Sequence, residues 1–236
     1  MNRKSVTAIQ RAFGVPVVVL PVIHLQDESQ GASEALLAFK TGAHGVFLID
    51  HGANAGLVFR SLDRALDRVH AEGFKRPWFG VNLLGHTTPQ AFDLLRRENA
   101  LDVSGVWCDG PPRGQVGTML RWHPLWFGGV GFKYQRSMMT IEEEGAESIN
   151  AGVDVLTTSG PATGMPCDPE KVRRLRALVG PNGSVGVASG VNAANARGLV
   201  DAGADALLVA SSIARTGDFH RMDAGRLAEL LAAAQP

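Results

Sequence analysis

Polar side chains of the kinds that do chemistry follow the apolar runs of this sequence, with a small group after each run. The runs themselves are apolar, so these groups form a pattern rather than a set of isolated motifs. If the runs are parallel strands, their ends meet at one edge of a sheet, and the polar groups belong to a single site. The residues concerned are His24, Asp50 with His51, Asn82 with His86, Asp109, Lys133, Ser159 with Thr163, Ser189, and Ser211 with Ser212.

Lys133 is the residue of this set with the widest chemical use. A lysine at a strand end can pair with a phosphate or carboxylate, move a proton, or attack a carbonyl carbon to form a Schiff base. Asp50 and Asp109 could act as a paired acid and base, or one of them could hold Lys133 charged. Asp50 and His51 are adjacent, and strand alternation directs only one of them inward. We expect Asp50 to be that residue.

The stretch 184–217 carries the clearest sign of a ligand. Its two apolar runs end in small residues, Ser189–Gly190 before a helix opened by Asn192, and Ser211–Ser212. Backbone N–H groups exposed by small residues beside a helix N-terminus bind phosphate. A third small-residue loop, with Ser159, Gly160 and Thr163, is expected to add to this anion or sugar-hydroxyl site, unless its residues serve only a tight turn. Asn82 and His24 are expected to bind the same ligand.

The elements that must position these residues alternate between two kinds. Eight strand-like runs alternate with helical ones, which favours parallel βα units and a closed barrel over an open sheet. No Gly-x-Gly-x-x-Gly fingerprint follows a strand. We predict one (β/α)8 TIM-barrel domain over 1–236 with a short N-terminal helix, whose last two loops bind phosphate. The predicted strands lie in 15–25, 45–52, 78–85, 105–110, 127–135, 153–164 and twice in 184–217, and the helices in 5–13, 32–41, 56–72, 89–97, 116–122, 140–151, 168–179, 223–234 and after Asn192.

Composition narrows the class of protein. The formal net charge is zero, with 23 basic and 23 acidic residues, so a nucleic-acid partner is not expected. Two cysteines make no disulfide framework, and neither a signal peptide nor an apolar run of ~18 residues is evident, which favours a cytoplasmic protein without a membrane span. The basic run of Lys171, Arg173, Arg174 and Arg176 is expected to be a solvated helix face. A homo-oligomer is a further expectation from the barrel class.

Metal binding is not predicted. His24, Asp50, His86 and Asp109 are proper ligand types, but no short-range spacing such as His-x-His groups them. We therefore expect no cofactor, with FMN or a divalent metal as the alternatives.

Several segments together resemble the BtpA family of (β/α)8 proteins, which sits among the ribulose-phosphate-binding barrels. The segments are VIHL (22–25), FGVNLL (79–84), GFKYQ (131–135), DVLTTSGPATG (154–164), ASGVN (188–192) and ADALLVASSIARTGDF (204–219). Two segments depart from the family pattern: QDESQGAS stands where a Pro-rich loop is expected, and LIDHGAN where a Glu-Asn pair is expected. The resemblance implies the fold and a phosphate site. Its members are associated with photosystem I assembly or are enzymes without a settled reaction.

Together these observations predict an enzyme that binds a phosphorylated small molecule, such as a sugar or ribosyl phosphate, and performs isomerase- or lyase-type proton transfer. Lys133, Asp50 and Asp109 would be catalytic. A Schiff-base aldolase would use the same site with Lys133 as nucleophile. An FMN-dependent oxidoreductase is an alternative, because the last two strands of such barrels also hold flavin phosphate. A non-catalytic assembly protein is another, although a scaffold needs no convergent polar site.

Overall fold

Eight parallel strands close into a barrel, which confirms the predicted fold class. The computed structural model describes residues 6–110, 122–135 and 137–235. Each strand pairs with its neighbours in chain order, and the barrel closes where the first strand pairs with the eighth, Val18 opposite Ala206 and Pro21 opposite Val209. The strands are β1 (Val18–His24), β2 (Val46–Ile49), β3 (Phe79–Asn82), β4 (Gly105–Cys108), β5 (Leu125–Gly129), β6 (Val155–Ser159), β7 (Ser184–Ala188) and β8 (Ala206–Val209).

Helices surround the barrel, and within the described residues a helix follows every strand except β4. Side-chain oxygens of Asp27, Asn54, Asp168 and Asp223 accept N–H bonds in the first turns of their helices, which stabilises those turns. None of the described helices combines the length and apolarity that crossing a bilayer requires. The helices are α1 (Ala8–Phe13), α2 (Glu28–Thr41), α3 (Ala55–Ala71), α4 (Thr88–Arg97), α5 (Ile141–Asn150), α6 (Pro169–Val179), α7 (Ala193–Asp201) and α8 (Ala224–Ala233).

The core has two layers, because both faces of each strand are buried. One layer fills the barrel interior and includes Phe47, Ile49, Trp107 and Phe127. The other lies between the strands and the helices. Strands buried on both faces read as continuous apolar runs, and this is why the strands could be found in the sequence. Helix α1 closes the N-terminal end of the barrel by placing Ile9 in the interior layer.

Two parts of the chain differ from the prediction, and one predicted helix lies almost wholly outside the described residues. Strand β5 ends at Gly129 rather than at 135, because Gly131 (φ +52°) and Tyr134 (φ +62°) turn the backbone out of the extended region. Lys133 is therefore a loop residue. An unpredicted hairpin, β9 (Ala214–Arg215) with β10 (Asp218–Met222), follows β8. The predicted helix over 116–122 lies, except for its last residue, outside the described residues.

Candidate functional site

A cavity of about 330 Å³ opens at the carboxyl ends of the strands. This is the size of a small-molecule site, and its floor is apolar, with Val22, Ile49 and Leu208 among its lining residues. Polar residues from most of the strand ends surround it. They are His24, His51, Asp109, Lys133, Tyr134, Thr163, Ser189 and Ser211, with Phe219 from β10 beside them.

The turn between β7 and α7 lines this cavity with Ser189, Gly190 and Val191. Ser189 (φ +74°) and Gly190 (φ +70°) both adopt left-handed conformations. Among the residues the structure describes, no acceptor pairs with the N–H groups of Gly190 or Val191, which lie just before the N-terminus of α7. The Ser189 hydroxyl accepts the Gly164 N–H at 3.1 Å and so ties this turn to the loop after β6. Such a turn suits an anion.

The turn after β8 adds donors on the adjacent side of the cavity. Ser211 begins a short 3₁₀ turn over Ser211–Ile213, and no described residue accepts the N–H of Ser211 or Ser212. The Ser211 residue lines the cavity, whereas the hydroxyl of Ser212 is buried without a described partner. The turns after β7 and β8 therefore both contain backbone N–H groups without a described acceptor, and phosphate binding by them stays a prediction.

Asp109 and Lys133 face the same cavity. The buried Asn82 amide donates a hydrogen bond to Asp109 Oδ1 at 3.1 Å. Burial raises the pKa of the Asp109 carboxyl, while the bond from Asn82 and the charges of Lys133 and His51 oppose the rise. The Lys133 ammonium is 3.4 Å from the Thr163 hydroxyl. A carboxyl group with a raised pKa that shares a cavity with an ammonium group can exchange a proton with a bound molecule.

Two histidines make direct contact at the rim. His24 Nδ1 and His51 Nε2 are 2.6 Å apart, and the two rings lie within 6° of parallel with centroids 4.7 Å apart. The Phe219 ring lies on His24, with a centroid distance of 4.3 Å. Burial, followed by nearby His51, His220 and Lys133, lowers the pKa of His24 from 6.5 to about 3. His24 is therefore neutral near pH 7.

Some predicted site residues lie elsewhere. Asp50 does not line the cavity: its carboxylate accepts the Asn54 N–H at 2.7 Å, and His51 takes the inward position, the reverse of the expectation. Ser159 is buried, accepts the Lys133 N–H at 2.8 Å and donates to the Gly160 carbonyl oxygen. Gly160 packs against the loop that follows it, since an added Cβ would lie 2.1 Å from Met165 O. Ser159 and Gly160 support the site rather than line it.

A second cavity of about 530 Å³ adjoins the first. The two cavities share Leu84, Trp107 and Asp109, and the second also contains Asn82 and His86 among its lining residues. Asp109 therefore lies at the junction of the two spaces. Within the described ranges, no group of three or more His, Cys, Asp or Glu side chains could hold a metal ion.

Lys171 supports the loops around the cavity, whereas the sequence predicts a solvated position for it. Its ammonium donates to the carbonyl oxygens of Ser159, at 2.9 Å, and Gly131. Glu144 accepts the Gly131 N–H at 2.5 Å. Both the N–H and the carbonyl oxygen of Gly131 are therefore hydrogen-bonded, which fixes the loop that carries Lys133. Burial lowers the pKa of Lys171. Nothing in the sequence distinguishes Lys171 from its exposed neighbours on α6.

Phe219, Tyr134 and His51 are further cavity residues that the prediction missed or set aside. Phe219 belongs to the unpredicted hairpin, and Tyr134 follows the turn that ends β5 early. His51 is adjacent to Asp50, which the sequence analysis placed in the site. The alternation of inward and outward residues along β2 is the sequence signal that could have identified His51 instead.

These features define a (β/α)8 barrel with a cavity at the carboxyl ends of its strands. No family model and no curated protein matches the sequence. The resemblance to the BtpA family therefore rests on the quoted segments and stays a prediction.

Solved structures share the fold at low sequence identity. Thiamine phosphate pyrophosphorylase from Pyrococcus furiosus is 18% identical, with a TM-score of 0.66 over 93% of this chain and 96% of that chain. Orotidine 5'-phosphate decarboxylase from Pyrococcus horikoshii OT3 is 10% identical, with a TM-score of 0.68 over 92% and 99%. A geranylgeranylglyceryl phosphate synthase from Thermoplasma acidophilum, solved with its substrate sn-glycerol-1-phosphate, is 12% identical, with a TM-score of 0.62 over 97% and 98%. At these identities the similarity establishes the fold.

Proposed function

We propose that this protein is an enzyme that binds a phosphorylated small molecule, with the phosphate held between the turns after β7 and β8. The observation that carries the proposal is that Gly190, Val191 and Ser211 line one cavity and that no described residue accepts their backbone N–H groups. Three of the solved structures that share the fold carry phosphorylated compounds in their names or titles. Backbone donors and the N-terminus of α7 favour an anion over a neutral group.

The chemistry we propose is proton transfer in an isomerase- or lyase-type reaction. Asp109 would remove a proton from a carbon next to a carbonyl group of the bound ligand. The Lys133 ammonium would donate a hydrogen bond to the carbonyl oxygen, where negative charge develops. In an isomerisation of an α-hydroxy carbonyl compound the proton then returns from Asp109 to the former carbonyl carbon, while the hydroxyl proton moves from the neighbouring oxygen to the former carbonyl oxygen. Asp50 has no place in this scheme, because its carboxylate binds the N–H of Asn54.

A thermal-shift experiment tests the phosphate site. Inorganic phosphate, glycerol phosphate, ribose 5-phosphate and FMN are added to the wild type and to Ser211→Asp, which places a carboxylate among the phosphate donors. Asn182→Asp is the matched control, since it adds the same charge at an exposed residue before β7, at the other end of the barrel. A ligand at about 100 times its Kd adds about 2.7 kcal/mol, or roughly 5–10 °C in Tm.

A shift in the wild type and in Asn182→Asp that disappears in Ser211→Asp supports the proposal. If no phosphorylated compound shifts the wild type, the proposal fails and the assembly role gains weight. A shift with FMN alone, together with a yellow complex, would favour the oxidoreductase.

Hydrogen exchange tests the chemistry without knowledge of the product. A sugar phosphate that binds is incubated with the protein in D₂O, and NMR follows the loss of its carbon-bound hydrogen. We expect exchange with the wild type, and a loss of at least a hundredfold in Asp109→Asn with phosphate binding retained. Equal exchange rates in the two proteins would remove Asp109 from the mechanism.

A further inference from the structure

The contact between His24 and His51 is the part of the cavity that the proposed chemistry leaves unused. Two ring nitrogens 2.6 Å apart share a proton, because two lone pairs at that distance would repel each other. The near-parallel setting of the two rings suits a shared in-plane proton, and the Phe219 ring packs against His24. His24 and His51 line the same cavity as Ser189, Gly190, Val191 and Ser211.

The surroundings of the pair decide which ring can hold an extra proton. His24 is faced by His51 from the end of β2, by His220 from β10 and by Lys133 from the loop after β5. His220 Nδ1 also lies 3.0 Å from the His24 carbonyl oxygen. These neighbours and burial keep His24 neutral, so it can accept a hydrogen bond through Nδ1. Asp109 is the carboxylate that lines the same cavity as His51.

We propose that His51 takes up one proton from solvent when an anion enters the cavity, and that His24 is the positioning residue that holds the protonated ring. This inference rests on the proposed phosphate site and adds to it a cationic contact. The protonated His51 donates through Nε2 to His24 Nδ1 and keeps Nδ1–H for the ligand, since no described residue pairs with that nitrogen. The proton returns to solvent when the anion leaves. The site would thereby favour a doubly charged phosphate over a neutral or singly charged ligand.

Sulfate is the probe that tests this inference, because its charge does not change between pH 6 and pH 8. Isothermal titration calorimetry in two buffers of different ionisation enthalpy gives the number of protons bound with the anion. We expect the uptake of up to one proton by the wild type, and a sulfate affinity that falls by up to about tenfold per pH unit as the pH rises.

Variants assign the proton to its residue. In His51→Gln the uptake should fall to nearly zero and the affinity should no longer depend on pH. His24→Asn retains an acceptor near the Nδ1 position and should keep most of the uptake, whereas His24→Leu should lose it. His70→Gln, at an exposed histidine of α3, is the matched control and should behave as the wild type.

Asp109 is the rival source of the same pH dependence, because its protonation would also help an anion to bind. If Asp109→Asn abolishes the uptake and His51→Gln does not, the inference is overturned. Histidine ring ¹⁵N NMR of the wild type gives a check that needs no variant: one ring should change from neutral to protonated when sulfate is added at pH 7. The absence of that change refutes the role of His51.

The failure of this inference is distinguishable from that of the proposed function. Sulfate binding with equal affinity at pH 6 and pH 8 leaves the phosphate site intact and refutes the proton uptake. If neither sulfate nor any phosphorylated compound binds, both proposals fall together.

Discussion

Gly190 is the position at which one methyl group should most disturb the proposed phosphate turn. Its φ is +70°, and a Cβ built there would lie 2.0 Å from the carbonyl oxygen of Met165. The left-handed conformation costs an alanine roughly 1–2 kcal/mol. The contact adds about 1–3 kcal/mol, because a backbone oxygen cannot rotate away as a side chain could. Gly190→Ala should therefore lower the free energy of unfolding by about 2–5 kcal/mol.

Gly164→Ala is the matched control for this prediction. Gly164 also has a positive φ, +77°, and also lines the cavity, but no heavy atom lies within 4 Å of the Cβ that an alanine would add. This variant should lose only the roughly 1–2 kcal/mol of the backbone term. The difference between the variants isolates the contact with Met165.

Urea denaturation followed by far-UV circular dichroism and tryptophan fluorescence measures both variants. Calorimetry with sulfate follows the anion site, which should weaken in Gly190→Ala and persist in Gly164→Ala. If Gly190→Ala proves as stable as Gly164→Ala at equal m value, the packing of this turn against Met165 has been misjudged, and the positions of its N–H groups lose their support.

Three further predictions concern Lys171, which supports the loops of the cavity, and the cavity residues His24 and Ser189. Lys171→Met removes a charged donor from the carbonyl oxygens of two loops and should cost about 1.5–3 kcal/mol in urea denaturation, against less than about 0.5 kcal/mol for the exposed Lys75→Met. Between pH 8 and pH 5.5 the wild type should lose about 1 kcal/mol more stability than His24→Asn, because the unfolded chain protonates His24 near 6.5 while the folded protein resists protonation until about 3; equal pH profiles would contradict the burial of this ring. Ser189→Gly should be about 1 kcal/mol more stable than Ser189→Ala, since glycine relieves the φ of +74°, and both should bind sulfate more weakly because the acceptor of the Gly164 N–H is lost.

The barrel was predictable because its strands are buried on both faces. Residues 46–49 form such a strand, and their unbroken apolar character marks the strand clearly. Because both faces are apolar, the sequence does not show which face of the strand turns toward the barrel interior and which toward the helices. Phe47 and Ile49 fill the barrel interior, Val46 and Leu48 are core residues too, and only the alternation from the inward pair shows that His51 rather than Asp50 faces the cavity. The choice between those two residues therefore needed tertiary information.

The limits of the sequence reasoning at β5 and α6 have a similar origin. Glycines at 128, 129 and 131 were compatible with a longer strand, but Gly129 is required because the Asp109 carbonyl oxygen would lie 2.0 Å from an added Cβ. The basic residues of α6 shared one pattern, yet Lys171 turns to two loop carbonyls and Arg176 donates to the Gly203 carbonyl oxygen at 2.8 Å and pairs with Asp205. A helical repeat of charges does not encode which long side chain reaches a buried acceptor.

The end of β6 and the loop after it connect the turn proposed to bind phosphate, at Ser189–Gly190, with Lys133. The Ser159 hydroxyl accepts the backbone N–H of Lys133, and the Thr163 hydroxyl lies within reach of the Lys133 ammonium. From the same loop, Gly164 donates to Ser189 in the turn after β7. Residues 159–164 thus connect the proposed anion site to the Lys133 ammonium. A change in this loop should alter binding and proton transfer together, whereas Ser211→Asp and Asp109→Asn should separate them.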